Sequence, residues 1–236
     1  MSSEDDGLSG PRWELTEEIS DAVRRRWAAD VLAVGVQGSL AHGDDTTGSD
    51  IDLVVVTYQP GRGPRPGSRR IDGIIVDLGV ISADEYLQHA RTLSTSWPLA
   101  ADQYLSTRPL YDPDNWLDQL RDTHLARLAE APGGEFAALA RAGWYEAASV
   151  LARAGRLASW YDTDGAVLLL AQARIALATV EGLLTRTYFR GPADAVRRTG
   201  LGDSNRAELG EKLDAQAVEL DKRGRPVDGD VTDLLS

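Results

Sequence analysis

Val31-Leu-Ala-Val-Gly-Val-Gln37 and Leu53-Val-Val-Val-Thr57 are two short β-branched apolar runs with no helical spacing, and both read as strands buried in a sheet. The link between them begins Gly38-Ser39 and ends Ser49-Asp50-Ile51-Asp52, so whatever the rest of the chain does, it must accommodate this link between two core strands. Gly38-Ser39 closes the first strand in a tight turn. The missing side chain of Gly38 lets backbone N–H groups approach an anion, and Ser39 adds a hydroxyl donor. Asp50 and Asp52 are two apart on extended chain, so both carboxylates project from one face while Ile51 points into the core. Adjacent carboxylates repel unless a divalent cation sits between them, and Mg²⁺ with phosphate co-ligands meets that need. Acidic loops also occur simply as solvated surface. It is the turn and the Asp-x-Asp pair together, each attached to a strand, that make the pattern specific.

The chain has 236 residues, 42% of them hydrophobic, enough for one large or two small cores. It has no run of eighteen apolar residues, and its acidic N-terminus is unlike a leader, so a cytoplasmic protein without a membrane segment is expected. The absence of cysteine excludes disulfides, thiolate nucleophiles and Cys-based zinc sites, and His42, His89 and His124 are too scattered for a histidine metal centre. Oxygen ligation remains. A formal net charge of −12 argues against general nucleic-acid binding and favours a small substrate. Only Lys212 and Lys222 among 25 basic residues are lysines, which fits either concentrated salt or GC-rich codon usage.

In chain order, residues 1–10 are expected to be disordered, and a helix follows from about Trp13 to Ala29 with Ile19, Val23 and Trp27 on one side. Residues 59–70, rich in Pro, Gly and Arg, read as a loop that is either a solvated tip or a basic flap for polyphosphate. Residues 71–81 read as a third strand. Asp77 stands among its apolar residues, where a carboxylate is costly unless paired, bound to metal or at a solvated strand end. Ser82-Ala-Asp-Glu85 is a capping box for a helix to about Arg91, and residues 97–112 read as a helical turn and a short extended piece that closes the first domain. Asp112-Pro113 then opens a series of helices over 114–130, 134–160, 164–187, 190–199 and 205–222, with a coil or short helix after Gly224. The fold class is thus α+β, an N-terminal mixed-sheet domain over 11–112 and a C-terminal helical bundle over 113–236. On the helix from Glu135, the stripe Phe136, Leu139, Gly143, Ala147, Val150, Ala154, Leu157 places Glu146 on the buried face, either paired with an arginine or facing a cleft.

Gly38-Ser39, Ser49-Asp50-Ile51-Asp52 and their flanking strands resemble the signature of the DNA polymerase β-type nucleotidyltransferase superfamily. With Asp77, Ser96-Trp97-Pro98-Leu99, Pro109-Leu110-Tyr111-Asp112 and Glu146, most of the chain resembles the kanamycin nucleotidyltransferase family. The resemblance implies Mg²⁺ on Asp50, Asp52 and Asp77, Glu146 as general base, and transfer of a nucleoside monophosphate from an NTP, ATP being expected. The acceptor would be a hydroxyl of a small molecule such as an aminoglycoside, with pyrophosphate released. Gly38 and Ser39 would contact the nucleotide. This chain has His42 where the family has an arginine, and Val150 where it has a lysine. Arg153, seven residues after Glu146, shares its helix face and is either the substitute phosphate ligand or a member of a buried salt bridge. Ser96 and Ala142 stand where the family has acceptor-binding carboxylates. A non-enzymatic alternative is a nucleotide-binding or toxin–antitoxin-like module. The apolar first half of the helix 164–187 is either central or at an interface, and the resemblance implies a homodimer with a site shared between subunits.

Overall fold

Continuous apolar runs mark strands buried on both faces, and the computed structural model, which describes residues 10–235, places the two such runs next to each other inside a sheet. The expected disorder of residues 1–10 falls outside the described residues except at Gly10. Helix α1 (Pro11–Arg26) leads into β1 (Val31–Gln37), every residue of which is buried except Gln37. A five-residue helix α2 (Gly38–His42) stands where a simple turn was expected, and β2 (Ile51–Thr57) returns antiparallel to β1 with Gln37 opposite Asp52.

The third strand is a correction. Instead of one strand over 71–81 after a long loop, a hairpin forms from β3 (Gly67–Ile71) and β4 (Ile74–Ser82). Its turn is Asp72-Gly73, both with positive φ (49° and 86°), the backbone that a tight two-residue hairpin requires. β4 runs parallel to β2, with Asp52 opposite Asp77. After α3 (Ala83–Ala90), α4 (Trp97–Ala100) and α5 (Asp102–Leu105), β5 (Arg108–Tyr111) adds antiparallel to β1. The sheet order is β3-β4-β2-β1-β5, a mixed sheet. Helix α6 (Trp116–Glu130) begins two residues later than expected, yet Asp112 still caps it. Its carboxylate accepts the N–H groups of Trp116 and Leu117 at 2.8 and 2.9 Å, a contact worth about 1 kcal/mol.

The contacts divide the chain into two units, residues up to 92 with 102–129, and 93–101 with 130–236. In the first, α1 brings Val23 and Ile19 against Val34 and Val55 on one sheet face. On the other face, Tyr86 and Ala90 of α3 and Trp116, Leu117 and Leu120 of α6 cover Val54 and Val56. The second unit is helical: α7 (Gly133–Ser159), α8 (Thr163–Thr185), α9 (Pro192–Arg198), α10 (Arg206–Lys222) and α11 (Val231–Leu235). The Trp97-Pro98 segment packs here, with Trp97 edge-on to Phe136 at 5.1 Å and Pro98 O accepting the N–H of Phe189 at 2.7 Å. Helix α8 is long and apolar enough to cross a membrane, but Leu177, Ala178, Val180 and Leu183 are buried in this unit as in a core helix. Near its start, Val167 and Leu168 remain exposed, as do Trp160 and Tyr161 just before it.

Candidate active site

Strand parity and register together decide which side chains meet. Asp52 and Asp77 are direct partners on parallel neighbours, so they emerge from one face, and Asp50 precedes Asp52 by two residues on the same side. One oxygen from each of Asp50, Asp52 and Asp77 lies within 4.8 Å of the others. This face is the one that α3 and α6 cover further along. At the carboxylate end Asp50 is exposed, while Asp52 and Asp77 are half-buried.

Three carboxylates this close cannot all ionise without cost. The Asp52 carboxyl is pushed above its ordinary value, first by burial and then by the charges of Asp50 and Asp77. An all-oxygen donor set suits a hard divalent cation, and the spacing fits one. Opposite ligands of Mg²⁺ are about 4.2 Å apart and those of Ca²⁺ about 5 Å, so small side-chain rotations bring all three oxygens to one ion.

Gly38 shapes the other wall. Its φ is +66°, and a Cβ built on it would lie 2.5 Å from Asp52 Oδ2, so a side chain here collides with the cluster. The amide of Gln37, the residue before it, donates to Tyr86 Oη at 2.8 Å and Thr107 Oγ1 at 2.9 Å, fixing where β1 ends and α2 starts. Ser39 is the second residue of α2, and its carbonyl accepts the N–H of Asp44 at 3.1 Å. His42 closes α2 against a partner the sequence did not point to. Its Nε2 lies 2.9 and 3.1 Å from the two carboxylate oxygens of Asp102, and both side chains are largely buried. Arg12 of α1 was also missed. Its Nε donates to Ser49 O at 3.1 Å and its NH2 group to Thr47 O, pinning the loop that delivers Asp50.

The basic segment divides by strand parity. Ser68 of β3 is opposite Asp77 and Arg70 opposite Ile75, so Ser68 and Arg70 share the face of the carboxylates while Arg69 takes the other.

Glu146 lies in the helical unit, on α7. It is exposed, which corrects its expected place on the buried face. The residues that α7 buries are Phe136, Ala137, Ala140, Gly143, Ala147, Leu151 and Ala154, so Ala140 and Leu151 stand in for the expected Leu139 and Val150 while Phe136, Gly143, Ala147 and Ala154 are buried as expected. Glu146 thereby moves to the rim of a pocket of about 420 Å³ in the same unit, which also includes Thr95, Ser96, Gln172 and Thr179. Arg153 is exposed too and makes no ion pair among the described residues, so the buried salt bridge weighed for it does not form.

Residues 16–108 match the family described as "Nucleotidyltransferase domain". The proteins named "Aminoglycoside nucleotidyltransferase (4')" from Staphylococcus aureus and from a Bacillus species are each 27% identical to the chain over 112 residues, 48% of this chain and 44% of theirs. The chain thus spans less than half the length of these curated relatives. A crystal structure of a nucleotidyltransferase-like protein from Exiguobacterium sibiricum has a TM-score of 0.43 and 13% identity, covering 88% of this chain and 75% of that one.

Proposed function

We propose that this chain, whose residues 16–108 match the nucleotidyltransferase domain family, transfers a nucleoside monophosphate from an NTP, ATP being the expected donor, to a hydroxyl of a small molecule. The observation that carries the reading is the meeting of Asp50, Asp52 and Asp77 beside the Cβ-less wall of Gly38. In this reading the three carboxylates hold Mg²⁺. The bound ion would neutralise triphosphate charge and favour departure of pyrophosphate. Gly38 leaves room for the donor and Ser39 offers a hydroxyl to its phosphates. His42, held by Asp102, and Arg153 supply further positive or donor groups for the nucleotide, and Glu146 takes the proton of the acceptor hydroxyl. The curated relatives support a small hydroxylated acceptor as a class.

The proposal includes a cytoplasmic location, where NTP is available, and a homodimer. The exposed strip of Trp160, Tyr161, Val167 and Leu168 supports the latter as an apolar surface that a second copy can cover. The direct test is pyrophosphate release from Mg·ATP with a panel of hydroxylated acceptors, comparing the native chain with Asp77→Asn. Release that depends on acceptor and disappears in the variant is expected. Equal release by both proteins, or none by either with ATP, GTP, CTP or UTP, refutes the reading.

A further inference from the structure

The pocket at Glu146 is built within the helical unit, between α7, α8 and the segment 93–101. Its floor is apolar, from Leu99, Val150 and Ile175, and its polar groups are Thr95, Ser96, Gln172, Thr179 and Glu146. Among the described residues that line it, Glu146 is the one that bears a charge. Two of the polar groups have no use in holding the fold: neither the Glu146 carboxylate nor the Gln172 amide has a hydrogen-bond partner among the described residues. Thr179 donates its hydroxyl proton to Ile175 O at 2.9 Å, so its oxygen lone pairs remain free to accept. Ser96 Oγ lies 3.0 Å from Ser94 Oγ and keeps capacity for another bond.

A ligand with several ammonium groups needs several anionic partners, because each charge taken out of water without one costs far more than a neutral hydrogen bond returns. Hydroxyls and one amide instead match alcohols, ethers and carbonyls, and the apolar floor matches a ring face. Resting on the nucleotidyl-transfer reading above, we propose that this pocket seats the acceptor and that the acceptor is a hydroxylated molecule carrying at most one positive charge. In the transfer, the acceptor oxygen forms its bond to the α-phosphorus of the NTP as the bond to pyrophosphate breaks. The hydroxyl proton passes to Glu146, and pyrophosphate leaves with the bonding electron pair. The pocket therefore discriminates against polyamines that share the same ring and hydroxyls.

The test uses the full chain and two aminocyclitols of the same ring, one with a single amine and one with four. Binding is measured by calorimetry without NTP, and transfer by pyrophosphate release with Mg·ATP, both at physiological salt. Expected is a kcat/KM at least about tenfold higher for the monoamine, with binding in the same order. Gln172→Glu, which adds a second carboxylate, should narrow that ratio about tenfold without changing KM for ATP. Tighter binding or faster transfer with the tetra-amine, or binding of neither, overturns the proposed acceptor class while leaving nucleotidyl transfer to be judged on other acceptors. Monoamine-selective binding with no pyrophosphate release from any acceptor supports the pocket's selectivity and refutes the transfer reading.

Discussion

Gly38→Ala tests the architecture of the carboxylate site without touching a carboxylate. Two effects are built into the substitution. The backbone at +66° costs an L-residue about 1–2 kcal/mol, partly offset by the smaller entropy of the unfolded alanine chain. The new Cβ would also sit 2.5 Å from Asp52 Oδ2, and relief to an ordinary contact of about 3.4 Å moves that carboxylate by about 0.9 Å. A shift of this size at a site proposed to place three oxygens on one ion is expected to lower kcat about a hundredfold. Gly43→Ala separates the two effects, because Gly43 has nearly the same φ, +69°, and nothing within 4 Å of its built Cβ. Urea melts should show a loss of about 1 kcal/mol for Gly43→Ala and no less for Gly38→Ala, while pyrophosphate release falls only in Gly38→Ala. Equal activity of the two variants would refute the claim that Gly38 is glycine because of Asp52.

Asp52→Asn should abolish transfer yet raise the cation-free stability at neutral pH. The folded-state pKa of Asp52 is raised, so its penalty is full above that value and fades as pH falls through it; the gain from Asn, read from urea melts, should vanish below the ordinary carboxylate range. Mg²⁺ at about a hundred times its Kd should stabilise the native chain by about 2.7 kcal/mol in such melts, and should not stabilise Asp77→Asn. Arg70→Met should raise KM for the NTP several-fold with an unchanged urea midpoint, since Arg70 is exposed on the carboxylate face; an unchanged KM removes it from the nucleotide site. If the homodimer shares its sites, mixing Asp50→Asn chains with Glu146→Gln chains should restore part of the activity that each lacks alone, and sedimentation as a monomer at working concentration would dispose of that expectation.

The carboxylate site was legible because a strand leaves little freedom. Once Val31–Gln37 and Leu53–Thr57 are strands, the period of two places Asp50 and Asp52 together, and the apolar run around Asp77 supplies the neighbour. β3 was not legible by the same rule. An edge strand with Ser68, Arg69 and Arg70 all exposed has no apolar face to alternate, and its one signal was the Asp72-Gly73 turn. The pairing of His42 with Asp102 joins residues far apart in the chain through a contact that no local pattern encodes.

One edge of the α7 stripe was misread for a different reason. Phe136, Gly143, Ala147 and Ala154 are buried as expected, but the small Ala137 and Ala140, with Leu151, complete the stripe in place of Leu139, Val150 and Leu157. Small residues let α7 and α8 approach closely, and leucines at the contact would hold them apart. Exchanging Leu139, Val150 and Leu157 for Ala137, Ala140 and Leu151 turns the centre of the stripe by about 50°, which takes Glu146 from its edge to outside it. The rotation changes what Glu146 requires as well as where it stands. A carboxylate in the core needs a cation to remain charged, and that need is why an arginine partner was weighed for it. At the rim, water satisfies it until a ligand arrives, so neither Arg153 nor any other described side chain has to neutralise it. The packing that shifted the stripe thus leaves the Glu146 carboxylate open to whatever enters the pocket it lines.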